Sequence, residues 1–288
     1  EVLVHLYSEF GFNMLEYLNG MFAFSIWDNK NKILFIARDR LGIKPLYYAE
    51  IGKTFLFASE LKSILTYPKI NKNLDMDGLA DYMRLGYIAR EHTPYKYVKK
   101  LLPGHYLKII NGNKTIHKYW DIKYEHDNKI TKEYDYDKKI VNDFDKSVSL
   151  RMRSDVPVAS FLSGGLDSSL ITATASKLSN NKLKTYTITF EDSIFDESNF
   201  AKNVSDHVKT DHKKLKVDSS DALNELPLLL WHMDEPIADS AIIPNYLVSK
   251  IASDDVKVCL SGLGGDELFG GYSRYIDQPL GPYRKFLK

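Results

Sequence analysis

Apolar and polar positions follow two different rhythms along this chain. Up to about residue 120 the pattern is mostly strand-like. Val2, Leu3, Leu6, Tyr7 and Phe10 fall near helical spacing, and β-prone runs then take over. Met21 to Asp28 and Ile33 to Arg38 flank the polar turn Asn29 to Lys32, which predicts a hairpin with Phe22, Phe24 and Ile26 on one face. Leu46 to Ile51 and Thr54 to Ala58, joined across Gly52, predict a second hairpin, followed by a short helix from Glu60 to Leu65. Asp75 is placed to cap a helix running to about Leu85. His105 to Ile110 and Thr115 to Trp120 enclose the turn Asn111 to Asn113. The first 120 residues therefore read as α+β.

The stretch 121–137 is polar and charged and reads as a linker. An amphipathic helix is expected at about Lys132 to Met152. Short Val/Ile-rich runs then alternate with helical stretches. Strands are expected at Val156 to Leu162, Lys184 to Phe190, Lys213 to Val217 and Val256 to Leu260. Helices are expected at Ser168 to Leu178, Glu197 to Val208, Ala222 to His232 and Ala241 to Ala252. Such alternation predicts a parallel sheet covered on both faces, with any ligand outside the carboxyl ends of its strands.

Composition narrows the partners. The 288 residues are 44% hydrophobic and 27% charged, with 39 Lys+Arg against 38 Asp+Glu. A net charge of +1 without a long basic run argues against a nucleic-acid partner. The longest apolar stretches, Met21 to Trp27 and Leu226 to Met233, are too short to span a membrane. No secretory leader is visible, so a cytoplasmic protein without a membrane partner is expected. Cys259 is the single cysteine and has no internal partner. His207 and His212 read as surface histidines rather than a metal pair. Glu1 already lies inside a helical pattern and the chain stops at Lys288 without a closing element, so a fragment truncated at both ends is expected.

The chemistry concentrates at two strand tips. Ser160 to Ser169 runs from a strand through Gly164 and Gly165 into a helix. Such a junction leaves backbone N–H groups facing outward, where the helix dipole favours an anion. Ser163, Ser168 and Ser169 offer hydroxyl donors to phosphate oxygens. Asp167 would repel phosphate unless a cation stood between them, which implies Mg²⁺. The loop lacks the Lys-Ser/Thr pair of a Walker A sequence and the three-glycine dinucleotide spacing. A plain capped turn is the structural alternative. Ser261 to Tyr272 repeats the arrangement at the end of Val256 to Leu260, and Asp266 is placed to share Mg²⁺ with Asp167.

Ser163 to Ser169 (SGGLDSS) and Ser261 to Tyr272 (SGLGGDELFGGY) resemble the two ATP-site loops of glutamine-dependent asparagine synthetases, members of the PP-loop ATP pyrophosphatase superfamily. Asn19 to Asp28 (NGMFAFSIWD), Ala37 to Tyr48 (ARDRLGIKPLYY), Ala58 to Leu65 (ASELKSIL) and Pro103 to Leu107 (PGHYL) resemble the later part of that family's glutaminase domain. Phe195 to Ser198 (FDES) and Asp234 to Pro244 (DEPIADSAIIP) resemble it between the two loops.

The resemblance implies an α+β N-terminal-nucleophile amidotransferase remnant at 1–120, the linker at 121–137, and an α/β parallel sheet of the adenine nucleotide α-hydrolase type at 138–288. It implies ATP at Leu162, Ser163, Gly164, Gly165, Asp167, Ser168, Ser169, Ile188, Ser261 and Gly262, with Mg²⁺ on Asp167 and Asp266. Ile188 would wall the adenine, unless it is an ordinary core isoleucine. The implied reaction converts aspartate through β-aspartyl-AMP to asparagine with glutamine-derived ammonia; a homodimer is one implied assembly.

Three departures qualify the resemblance. The family's N-terminal nucleophilic cysteine is absent from these residues, so glutamine hydrolysis is not expected of them. Leu263 stands where the family carries an acid. The chain ends soon after Tyr272, before the family's helical C-terminal part. Two other readings stay open: an amidotransferase acting on another carboxylate, and a non-catalytic Mg-ATP-binding module. Among the remaining polar groups, Arg38, Asp39 and Arg40 are expected to fix a turn, with the arginines pairing across the domain interface. Asp196 and Glu197 either approach Mg²⁺ or start a helix. Asp234, Glu235 and Asp239 either line the aspartate end of the pocket or begin the next helix.

Overall fold

Side-chain alternation and turn chemistry account for most of the elements in the computed structural model, which describes residues 1–123, 133–190 and 197–272. Contacts divide the chain into two units, Glu1–His126 with Pro227–Asp239, and Asp127–Leu226 with Ser240–Lys288.

In the first unit, α1 (Val2–Phe10) runs into a 3₁₀ turn (Gly11–Glu16). Strands β1 (Ala23–Asp28) and β2 (Ile33–Arg38) form the expected hairpin, with Ile26 opposite Phe35. Phe22, Phe24 and Ile26 do share a face, packing with Met14, Leu15, Phe35 and Ala37. The second hairpin is β3 (Tyr47–Ile51) with β4 (Thr54–Ala58), followed by α2 (Leu61–Leu65) and α3 (Met76–Leu85). Asp75 caps α3 by accepting from the amides of Asp77 and Gly78. A short strand that the pattern did not reveal, β5 (Val98–Lys100), pairs with Tyr47 to Ala49. β6 (His105–Ile110) and β7 (Asn113–Lys118) complete an antiparallel sheet of order β1-β2-β6-β7, beside the smaller sheet β4-β3-β5.

The second unit begins its described residues with α4 (Glu133–Arg151), so the helix starts inside the stretch read as linker; residues 124–132 lie outside the described set. Then follow β8 (Val158–Phe161), α5 (Leu166–Leu178), β9 (Lys184–Phe190), α6 (Ser198–Val208), β10 (Asp211–Val217), α7 (Ser219–Met233), α8 (Ile242–Ala252), β11 (Val258–Leu260) and α9 (Gly265–Phe269). The sheet order is β10-β9-β8-β11, and each neighbouring pair is parallel. Both faces are covered, as the alternation predicts. Ala159 and Tyr186 pack with Val248 and Ala252 of α8, while Leu260 packs with Val148 of α4 and Ala175 of α5. Among the described residues no helix is long and apolar enough to cross a membrane.

Candidate nucleotide site at two strand tips

β8 delivers the chain to Leu162, which is buried. Its amide donates to the Tyr186 carbonyl at 3.0 Å, and its own carbonyl accepts from the Thr187 hydroxyl. The next turn needs glycine for a definite reason. Gly164 has φ +93°, and a Cβ there would stand 2.6 Å from the Ala201 amide nitrogen and 2.7 Å from Phe200 Cβ. The chain therefore passes hard against the first turn of α6 before entering α5.

The start of α5 has no side-chain cap, although Gly165 is followed by Asp167, Ser168 and Ser169. Its serines instead tie the loop to itself. Ser163 Oγ accepts from the Gly165 amide at 3.2 Å and shares a hydrogen bond of 3.0 Å with Ser168 Oγ. Ser168 and Ser169 hydroxyls donate to the Gly165 carbonyl at 3.1 and 2.7 Å. None of these bonds uses the first amides of α5, and unpartnered amides at a helix start suit an anion.

β11 pairs directly with β8, with Cys259 opposite Ala159 and Leu260 opposite Ser160. Ser261 Oγ accepts from the Leu263 amide at 3.2 Å, and the turn closes through Gly264, φ +95°, into α9. The two loops are in contact. A Cβ on Gly262 would lie 3.0 Å from the Ser168 amide nitrogen and 3.3 Å from Asp167 Cβ, and a Cβ on Gly265 would strike the Asp167 carboxylate. Asp266 lies in the first turn of α9 with its carboxylate against Gly271. Gly264 is the cap residue of α9, so Asp266 does not cap it.

The residues present fit a divalent cation shared with phosphate. Among the described residues, the Asp167 and Asp266 carboxylates make no hydrogen bond or ion pair. No group of three or more His, Cys, Asp or Glu side chains there forms a self-sufficient metal cage. Such a donor set suits Mg²⁺, which keeps waters and binds through one or two carboxylates together with substrate phosphates.

Ile188 packs with Val217, Leu247 and Val248 on the α8 side of β9, in the manner of a core isoleucine. Asp196 lies outside the described residues; Glu197 precedes α6 without capping it through its side chain. Asp39 does fix a turn, accepting from the amides of Phe22, Leu41, Ile43 and Lys44. Arg38 donates to the carbonyls of Lys44, Leu101 and Gly42, so its partners are backbone groups of its own unit rather than groups across an interface. Asp234 and Glu235 bind residues of the first unit, a placement neither sequence reading foresaw. Thr187, whose hydroxyl fixes Leu162, was missed as well; only the Thr alternation in Thr185, Thr187 and Thr189 hinted at a polar face on β9. Cys259 is half-buried, and burial pushes its thiol up to about 11.

A parallel sheet with two adjoining glycine turns at its carboxyl ends, one leading into a helix without a side-chain cap, defines an α/β protein with its candidate site at those strand ends. Comparison with known proteins specifies which. The asparagine synthase family matches residues 139–286, and a glutamine amidotransferase domain matches residues 1–120. The chain belongs to the asparagine synthase family.

A relative from Methanocaldococcus jannaschii is 40% identical over 282 residues, covering 96% of this chain and 54% of that protein. Asparagine synthetase [glutamine-hydrolyzing] 1 of Bacillus subtilis is 39% identical over 280 residues, covering 96% and 43%. Amidase chyE of Penicillium rubens is 31% identical over 296 residues, again covering 96% and 43%. The chain thus spans about half the length of these curated relatives.

Proposed function

We propose that this chain carries the ATP site of a glutamine-dependent asparagine synthetase, an AMP-forming ligase, and that its first unit is the later part of an N-terminal-nucleophile glutaminase domain. The observation that carries the reading is the contact of the two loops, in which Gly262 and Gly265 lie against Asp167 and Ser168. Two strand tips that touch can hold one triphosphate between them.

In this reading the α5 amides and the hydroxyls of Ser163, Ser168 and Ser169 hold the pyrophosphate end of ATP, and Ser261 and Gly262 flank it from the second loop. Asp167 and Asp266 would hold Mg²⁺, which when bound neutralises charge growing on the leaving pyrophosphate. The β-carboxylate of aspartate attacks the α-phosphorus, the bond to the bridging oxygen breaks, and pyrophosphate leaves. Ammonia then attacks the β-carbonyl of the resulting aspartyl adenylate, giving asparagine and AMP. The chain's contribution is orientation and fixed dipoles aimed at the developing charge. Cys259 sits in β11 with a thiol raised by burial, so no glutamine-hydrolysing nucleophile is assigned to these residues. The ammonia would come from glutamine hydrolysed by the complete enzyme, in the cytoplasm.

A second reading rests on Leu263. It stands between Gly262 and Gly264, is 79% exposed, and offers neither a base nor a partner for a cation. An amidotransferase with a different carboxylate acceptor accommodates it, and the name of the Penicillium relative, an amidase, is compatible with such a branch.

The test is Mg-ATP binding by calorimetry together with ATP–pyrophosphate exchange driven by aspartate or other carboxylates. Binding that Asp167→Ala abolishes, with exchange under aspartate, is the expected result. Exchange only under another carboxylate selects the second reading. Mg-ATP binding without exchange under any carboxylate reduces the site to a binding module, and absence of binding refutes the nucleotide site.

A further inference from the structure

The segment 227–239 lies inside the stretch matched to the asparagine synthase family, yet its contacts place it with the first unit. The chain leaves the second unit within α7 at Leu226 and returns to it at Ser240, just ahead of α8. Two carboxylates pin the excursion. Asp234 Oδ2 accepts from the Leu61 amide at 2.8 Å, and its Oδ1 accepts from the Lys62 ammonium at 2.9 Å and the Lys62 amide at 3.3 Å. Glu235 accepts from the Tyr47 hydroxyl at 2.8 Å and from Lys100 Nζ at 2.9 Å. The Asp234 and Glu235 side chains are only 8% and 10% exposed. Trp231 adds its ring at 5.7 Å from the Lys62 ammonium, and the Ala238 amide donates to the Gly86 carbonyl at 2.7 Å.

Asp234 also has φ +60°, a backbone state uncommon for a residue with a side chain. Strain of this kind persists where surrounding contacts over-determine it, and it gathers at functional segments. Removing one partner of a largely buried pair strands the other charge, so loss of either partner loosens the tie. Immediately beyond the segment, Val248 and Ala252 of α8 pack on Ala159 of β8 and Tyr186 of β9, the strands that carry and brace the first glycine loop.

We propose that Asp234 and Glu235 are positioning residues: by tying 227–239 to Lys62, Tyr47 and Lys100 they fix the start of α8, and through α8 the seating of the β8 loop. The nucleotide part of this inference rests on the function proposed above; the ordering of α8 does not.

The test uses the full 288-residue chain with hydrogen exchange and Mg-ATP calorimetry as parallel readouts. Glu235→Gln and, as a milder cut that keeps the Tyr47 bond, Lys100→Met are expected to speed exchange in 227–239 and in α8 and leave β1–β2 unchanged. The Mg-ATP Kd is expected to rise several-fold. Lys100→Arg, which keeps a cation for Glu235 and a donor for the Ile88 carbonyl, is expected to keep slow exchange and affinity, a rescue that mere loss of packing does not give. Faster exchange confined to 227–239, with α8 and the Kd unmoved, overturns the proposal. If wild type binds no Mg-ATP, the proposed function falls, and α8 exchange with its rescue alone decides the positioning role.

Discussion

Replacing Gly265 with alanine separates folding from nucleotide binding. Gly265 is the first residue of α9 and has no left-handed φ, so alanine suits its backbone and favours a helix by up to about 1 kcal/mol over glycine. The added methyl, however, occupies the position of the Asp167 carboxylate. Rotating that side chain away removes one charge-assisted contact to a metal-bound triphosphate, a loss of about 1.5–3 kcal/mol. At 1.4 kcal/mol per decade this is roughly a 10- to 100-fold weaker Kd for Mg-ATP. The assay is calorimetry on Gly265→Ala beside its thermal midpoint, with Gly20→Ala as control, since nothing lies within 4 Å of a Cβ at Gly20. An unchanged or slightly raised midpoint with much weaker binding is expected. A folded Gly265→Ala protein that binds Mg-ATP within twofold of wild type would refute the role given to Asp167.

Asp39→Ala removes a buried carboxylate that serves four backbone amides, so urea denaturation is expected to show a loss of about 2–4 kcal/mol in the first unit. Gly164→Ala must displace the first turn of α6 and adopt φ +93°, and is expected to lower the thermal midpoint and Mg-ATP affinity together, unlike Gly265→Ala. The His212 imidazole is held below its usual value by burial and then by the Lys202 charge. Its contribution to stability is therefore complete above the unfolded pKa of about 6.5 and declines as pH falls through the lower folded value. Denaturation midpoints measured between pH 7.5 and 5 should fall, and fall less in His212→Gln. Cys259, with its thiol near 11, should react with iodoacetamide at pH 8 roughly 100-fold more slowly than in the unfolded chain; equal rates would contradict the burial.

Much of the fold was legible because its signals are local. The alternation in Ala23–Asp28 and Ile33–Arg38, the Asp75 cap, and the switch from strand to helix at Gly164 and Gly165 each depend on residues within one turn or one pleat. What stayed hidden is non-local. Three residues, Val98–Lys100, are too few to display a period, and their identity as a strand comes from pairing with Tyr47 to Ala49. Likewise, no local feature separates a carboxylate that lines a pocket from one that ties down a segment. Glu235 is decided by Lys100, 135 positions away, and Asp234 by Lys62, 172 positions away.

The candidate site divides along the same line. Each loop declares itself by composition, and the repeat of the pattern at two strand tips of one parallel sheet predicts that they face one ligand; the direct contact itself comes from parallel pairing of β8 with β11 across roughly a hundred intervening residues. The glycines record both kinds of information. Gly164 and Gly264 are required by their own backbone, at φ +93° and +95°. Gly262 and Gly265 have no such need; any residue fits their local conformation, and what forbids a side chain is Asp167 and Ser168 on the other loop. A glycine whose φ does not demand it therefore marks a close approach, and here the approach brings a second strand tip against the residue that carries the negative charge.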